Sequence, residues 1–152
     1  MFDPFSKVGA LTRRLHQISL RVFSEEVHPY GLTTVQFGAL QAIADHSGID
    51  QVSLGVASDI DRTTVMRVLN RLEKHGLVRR KPCPQDKRIN RVYITAVGKR
   101  MISDIEPLAD ASKQRLLEPL APDERAAFMN MLTKLVLAHS SQSLYNSQNR
   151  HE

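Results

Sequence analysis

The chain has 152 residues, 41% of them hydrophobic and 24% charged, which suits one ordinary core with an added helical layer. No apolar run reaches the roughly 18 residues needed to span a bilayer, and no basic-then-apolar secretory pattern opens the sequence. A single cysteine, Cys83, excludes an intrachain disulfide, so the composition is that expected of a cytoplasmic protein.

The net charge of +5 is unevenly spread. Residues 62–100 hold twelve Lys/Arg against two acids, Glu73 and Asp86, whereas the rest of the chain is net acidic. A basic block in an acidic protein is an electrostatic footprint for a polyanion, with a solvated charged face as the plainer reading.

In chain order, the first 27 residues predict a long helix. Val8, Leu11, Leu15, Ile18 and Val22 repeat at three- and four-residue steps, the seam of a helix packed along another. Pro29 and Gly31 end it. A second helix spans Leu32 to Asp45: Thr33 and Gln36 match a capping box, and Leu32 and Phe37 a hydrophobic staple. Its stripe is Phe37, Leu40 and Ala44, with Ile43 beside it. Gly48 breaks the chain, Asp50 caps a short third helix over Gln51 to Ser58, and Asp59 to Asp61 make a turn. A fourth helix, Arg62 to His75, is capped by Asp61 and closed by Gly76, and it buries Val65, Val68, Leu69 and Leu72.

The pattern then turns extended. Leu77 to Lys81 and Arg91 to Ile94 predict two strands around a polar loop, Pro82 to Asn90, whose prolines bar a helix. Thr95 caps another long helix with Val97, Met101, Ile102, Ile105 and Leu108 on its apolar side and Pro107 as a place to kink. A last helix starts near Asp123 and is expected to bury Phe128, Leu132, Leu135 and Val136; Ser140 onward is polar and expected to fray.

Two short helices joined by a tight turn make a helix-turn-helix, whose second helix enters the major groove. If the fourth helix buries its four apolar residues, Thr63, Arg67 and Asn70 point away from the core, flanked by Met66 and Arg71. Arg pairs with guanine, Asn with adenine, and Thr bonds or touches a thymine methyl. The expected DNA-binding set is Arg62, Thr63, Thr64, Arg67, Asn70 and Arg71, with Lys87 and Arg88 on the loop tip, where Arg88 suits a narrow minor groove. Lys74, near the far end of the helix, reaches phosphate at most. Asp86 is expected to orient Arg88 or Arg91 by a charge-assisted bond, so Asp86 and Arg91 are wing support. Arg79, Arg80 and Lys81 are expected to bind phosphate or support the wing.

Four elements resemble the MarR (multiple antibiotic resistance regulator) family: Asp61-Arg-Thr-Thr-Val65, Leu69-Asn-Arg-Leu-Glu-Lys-His-Gly-Leu77, Asp86-Lys-Arg88 and Ile94-Thr-Ala-Val-Gly98. The resemblance runs from about Leu32 to Arg100. It departs at Lys87, which keeps charge but loses the planar fork of Arg, and at Ser58 and Asp59, where an apolar residue and Gly are usual. It implies a mainly α fold with a small β-hairpin wing: a winged helix-turn-helix with N- and C-terminal dimerisation helices. The implied division is residues 1–30 (dimerisation helix), 31–98 (DNA-binding domain), 99–140 (dimerisation helices) and 141–152 (flexible tail).

It further implies a homodimer that binds double-stranded, pseudo-palindromic DNA, and a repressor released by a small aromatic or phenolic ligand. Thr12, His16, Ser19 and Phe23 form a ribbon beside the first seam that could line an effector pocket, with His16 or Arg13 meeting a carboxylate; core packing is the plainer reading. Gly48-Ile-Asp-Gln51 resembles regulators of aromatic-compound breakdown in the family. Cys83, between two prolines, reads as a spectator thiol, with oxidant sensing the alternative. No paired histidine spacing suggests a metal, no nucleophile motif suggests an enzyme, and no cofactor is expected. The alternative function is an effector-independent architectural nucleic-acid-binding protein, whose affinity falls with salt but is nearly indifferent to sequence.

Overall fold

The computed structural model describes residues 7–148, with side chains to residue 139. Its elements are α1 (Val8–Val27), a 3-10 turn (His28–Tyr30), α2 (Thr34–Asp45), β1 (Ile49–Asp50), α3 (Gln51–Ser58), α4 (Arg62–Lys74), β2 (Val78–Pro82), β3 (Asn90–Ile94), α5 (Ala96–Leu117) and α6 (Pro122–Gln148). The architecture is mainly helical with one small antiparallel sheet. The chain forms two compact units that divide between Leu116 and Leu117, so α1 and nearly all of α5 belong to the same unit as the helix-turn-helix. The functional boundaries expected after residues 30 and 98 do not coincide with this structural one.

The first unit follows its local signals closely. The Thr33 hydroxyl accepts from Gln36 N at 3.2 Å and the Gln36 side chain accepts from Thr33 N at 3.1 Å, a completed capping box. Asp50 Oδ1 accepts from Val52 N and Ser53 N, both at 2.9 Å, and starts α3. Asp59 turns the chain with φ at 51°, a left-handed conformation that Asp tolerates better than most residues. Gly76, at φ 69°, ends α4 where a side chain would be strained. Phe37, Leu40 and Ile43 of α2, Leu54 of α3, the α4 stripe, Leu77 and Val92 form one buried cluster with Val27 and Ile105.

The sheet order is β1-β3-β2. In the wing, Val78 pairs with Ile94 and Pro82 with Asn90, so each strand extends one residue nearer the tip than the sequence suggests. The third strand is not foreshadowed in the sequence: Ile49 and Asp50 pair with Val92 and Arg91 along the free edge of β3. A two-residue strand has no periodicity to read; only the neighbouring edge makes it a strand. Helix α5 sits hard against this sheet at Gly98, where a Cβ would collide with the Leu77 carbonyl oxygen and lie 2.8 Å from Ile94 Cγ1. The Thr95 hydroxyl accepts from Gly98 N at 3.0 Å and donates to the Gly76 carbonyl at 2.7 Å, which ties the start of α5 to the end of α4.

Two expectations about burial are corrected, in α5 and in α6. Val97 is 46% exposed, because the buried side of α5 runs through Gly98, Ile105, Ala109 and Ser112. Ser112 is accommodated there by donating to the Ala109 carbonyl at 2.7 Å. Val8 and Leu11, the first part of the α1 seam, are 74% and 45% exposed, whereas Val22 is buried. In α6, Leu132, Leu135 and Val136 are exposed rather than buried, and Phe128 is half-buried. Helix α5 is continuous through Pro107, and the α6 backbone stays helical to Gln148, past the expected start of fraying at Ser140. Residues 149–152 of the expected tail lie outside the described residues, as do residues 1–6 of the expected first helix.

Candidate nucleic-acid interface and effector cavity

Helix α4 is built as an anchored cylinder. Val65, Val68, Leu69 and Leu72 are at most 5% exposed and hold one face in the core. Asp61 caps its start: Oδ1 accepts from Thr64 N at 3.0 Å and Oδ2 from the Thr64 hydroxyl. The Thr64 hydroxyl bond, then its backbone bond, lowers the Asp61 pKa, so the cap is charged. The opposite face carries Arg62, Thr63, Met66, Arg67, Asn70 and Arg71, all exposed. Among the described residues, the guanidiniums of Arg62, Arg67 and Arg71 have neither a hydrogen bond nor an ion pair. A helix end with unpaired cations on the solvent side suits a polyanion. Thr64 differs from the rest of the expected set: it is half-buried and its hydroxyl is committed to Asp61.

The wing resolves the choice left open at Asp86. Arg88 donates its backbone N–H, Nε and Nη2 to the Asp86 carboxylate, all at 3.0 Å. Those bonds, the side-chain ones first, lower the Asp86 pKa and raise that of Arg88. Arg88 nevertheless keeps 91% of its side chain exposed at the loop tip, beside the exposed Lys87. Arg91 turns elsewhere. Its Nη1 donates to the Gly48 carbonyl at 2.9 Å, and Nε donates to Cys83 Sγ at 3.4 Å. It therefore supports the wing from the side of β1 rather than through Asp86. Cys83 is only 3% exposed, its thiol donating to Gln85 Oε1 at 3.0 Å; the Arg91 bond is the main cause of its lowered pKa.

One part of the interface escapes the sequence reading. Glu73, in α4, accepts from the Arg80 backbone N–H at 3.0 Å and from its Nε at 2.9 Å, and Arg80 Nη2 also reaches Glu73. The same Nη2 donates to Asn70 Oδ1 at 2.8 Å. The Arg80 side chain, its backbone and its charge all lower the Glu73 pKa against the effect of burial. The available signal is Glu73 itself, the lone acid within a basic helix and seven residues from Arg80 across the Gly76 turn.

A cavity of about 710 Å³ opens within the first unit, lined by Ser19 and Phe23 of α1, Phe37 and Gln41 of α2, and Glu106, Asp110, Lys113 and Leu116 of α5, among others. The Phe23 and Phe37 ring centroids are 5.9 Å apart. Lys113 pairs with Asp110 at 2.8 Å. Ser19 and Phe23 thus lie where the sequence places a pocket. Thr12 and His16 do not: both are outside the cavity, and the Thr12 hydroxyl donates back to the Val8 carbonyl at 2.9 Å. Arg13 is exposed and likewise not among the lining residues. A helix advances about 100° per residue, so Thr12 and His16 share a ribbon with Ser19 but sit about two turns and one turn nearer the helix start. Arg115 joins α1 to α5 by donating to Glu25 at 2.6 Å and Glu26 at 3.1 Å.

Among the described residues no group of three or more His, Cys, Asp or Glu is placed to hold a metal ion, and no helix is long and apolar enough to cross a membrane. A MarR family profile matches residues 30–89. The chain is 36% identical over 107 residues to the transcriptional regulator HosA of Escherichia coli O111:H-, covering 70% of this chain and 79% of HosA. Its fold matches that of Bordetella bronchiseptica BpsR, a protein whose DNA binding is regulated by 6-hydroxynicotinic acid, with a TM-score of 0.83, 29% identity, and coverage of 90% of this chain and 97% of that one. It also matches a mutant MarR from Escherichia coli in complex with operator DNA, with a TM-score of 0.78, 30% identity, and coverage of 84% of this chain and 92% of that one. A capped helix with a basic outer face, a cation-tipped wing and these relatives lead to one conclusion: the chain belongs to the MarR family of winged helix-turn-helix transcriptional regulators.

Proposed function

We propose that this regulator is a homodimeric repressor, released from a pseudo-palindromic operator by a small aromatic or phenolic ligand. Helix α4 lies in the major groove, with Thr63, Arg67 and Asn70 at base edges and Arg62 and Arg71 at phosphates. The wing enters the adjoining minor groove through Arg88, with Lys87 on the backbone. Thr64 contributes by holding the Asp61 cap. The observation that carries this reading is the division of α4: four apolar residues buried on one side, and three arginines whose guanidiniums have no partner among the described residues on the other. Free guanidiniums opposite a locked face are what direct readout needs.

The dimer rests on the exposed apolar residues of α1 and α6. Val8, Leu11, Leu135 and Val136 leave enough uncovered apolar surface to call for a partner, and in a symmetric regulator a second copy places two recognition helices about one DNA turn apart. The ligand occupies the cavity between α1, α2 and α5, its ring against Phe23 and Phe37. With Thr12, His16 and Arg13 away from the cavity, Lys113 is the cation there for a carboxylate. Helix α2 lines the cavity and also packs on α4, which makes it the route of coupling. A ligand releases DNA only by favouring the arrangement whose recognition helices are wrongly spaced.

A gel shift with the promoter beside its own gene, with and without aromatic acids, tests this. Arg67→Ala should relax preference at one base pair, and Arg88→Ala should weaken binding to all sequences and lower the salt slope by about one. Equal affinity for random DNA favours the architectural alternative and removes the repressor. Full affinity in both variants means that DNA is bound by another surface.

A further inference from the structure

We propose that Arg80 holds the Asn70 oxygen away and leaves its NH2 to read the base, so that Asn70 selects guanine rather than adenine at its position in the operator. The inference rests on the proposal that α4 faces the major groove, and it concerns how one residue on that face chooses its base.

An unrestrained Asn recognises adenine with both ends of its amide, accepting from N6 and donating to N7. Asn70 is not unrestrained. Arg80 Nη2 lies 2.8 Å from its amide, and because a guanidinium has no acceptor, the atom facing it is the oxygen. Arg80 is itself held: its Nε donates to Glu73 at 2.9 Å, its backbone N–H to the same carboxylate at 3.0 Å, and its side chain is only 24% exposed. Glu73 sits one turn from Asn70 on α4, so helix and strand fix the guanidinium between them. Bonds to charged groups in such a fork are short and directional.

Two consequences follow for the exposed end of the amide. First, one of the two lone pairs of its oxygen is taken by Arg80 and the oxygen is held toward β2, while its NH2 has no partner among the described residues. Second, the group beside it is a guanidinium, which carries only N–H donors and whose charge is paired with Glu73. The major-groove edge of adenine offers a donor, N6, which would have to reach an oxygen held toward Arg80 and compete there with the guanidinium N–H. Guanine offers only acceptors there, N7 and O6. The hydrogen-bond polarity favours guanine.

Selection from a random-sequence duplex pool, followed by titration of the selected site with single-base changes, tests the inference on the full chain. The wild type is expected to show a guanine at one position per half-site, favoured over adenine by about tenfold, and Asn70→Ala should lose preference at that position alone. Arg80→Met, which frees the Asn70 oxygen, should shift the same position toward adenine. Should Arg80→Met not fold, as judged by its thermal melt, Asn70→Asp decides: it keeps the acceptor for Arg80, lacks the N–H donors, and should lose guanine as Asn70→Ala does. Adenine in the wild-type site, guanine retained by a folded Arg80→Met, or guanine retained by Asn70→Asp each overturns the inference. If Asn70→Ala alters no position while Arg67→Ala alters one, the inference falls and groove reading by α4 stands. If neither alters any position, groove reading by α4 falls as well.

Discussion

Helices α4 and α1 belong to the same compact unit, and both carry an apolar stripe at helical spacing, yet they bury it differently. All four stripe residues of α4 are at most 5% exposed, whereas α1 begins with Val8 and Leu11 at 74% and 45% and becomes buried only at Val22. The core that receives α4 comes from α2, α3 and the sheet, so the orientation of its basic face is settled inside one chain. Among the described residues of this unit, none buries Val8 or Leu11 at the start of α1. Periodicity reports that a face needs covering; it does not say whether the cover comes from the same molecule.

The contrast can be broken most forcefully at Leu72. Leu72→Ala removes a fully buried side chain and should cost about 2–5 kcal/mol, lowering Tm by roughly 10 °C in a thermal melt followed by circular dichroism. A loss below about 1 kcal/mol would show that α4 is not anchored by its stripe. The matching change in α1, Leu11→Glu, should act on assembly instead. Sedimentation is expected to show monomer at concentrations where the wild type is dimeric, with a weakened gel shift. An unchanged mass with a lowered Tm would place the α1 seam in the intrachain core.

A smaller effect sharpens the comparison at the helix starts, where α3 and α4 have side-chain caps and α1 has none. Asp50→Ala should cost about 1 kcal/mol at neutral pH. The Ser53 backbone and hydroxyl bonds hold the Asp50 carboxyl below its ordinary 3.8, so its contribution is present above that value and lost as pH falls through the lower folded one. The difference in stability between wild type and Asp50→Ala should therefore be constant near neutrality and shrink in acid below 3.8. A difference that grows in acid would contradict the cap.

Legibility varies with the range of the interaction. The capping box at Thr33 and Gln36, the Asp50 and Asp61 caps, the Gly76 stop and the α4 stripe all act within a few residues, and each is visible in the sequence. Asp86 is recognisable as an arginine partner, but the choice of Arg88 depends on the loop closing over two residues. Arg91 reaches Gly48, 43 positions away, and β1 exists only because β3 offers an edge. Neither leaves a local trace. The ribbon expected to line a pocket is half legible: Ser19 and Phe23 line the cavity, while Thr12 and His16 share their side of α1 beyond its end.

By itself, the sequence of this protein determined which segments are helices, where they start and stop, and which side of α4 is apolar, because capping, turn conformation and helical periodicity are short-range. Only the tertiary structure decided that Asn70 is tied to Arg80 and Glu73, that Cys83 is buried against Arg91, and that α1 and α6 keep apolar surface uncovered. These depend on which surfaces meet in space, and a hydrogen bond or a packed contact between distant residues is specified by the whole chain's geometry rather than by any stretch of it.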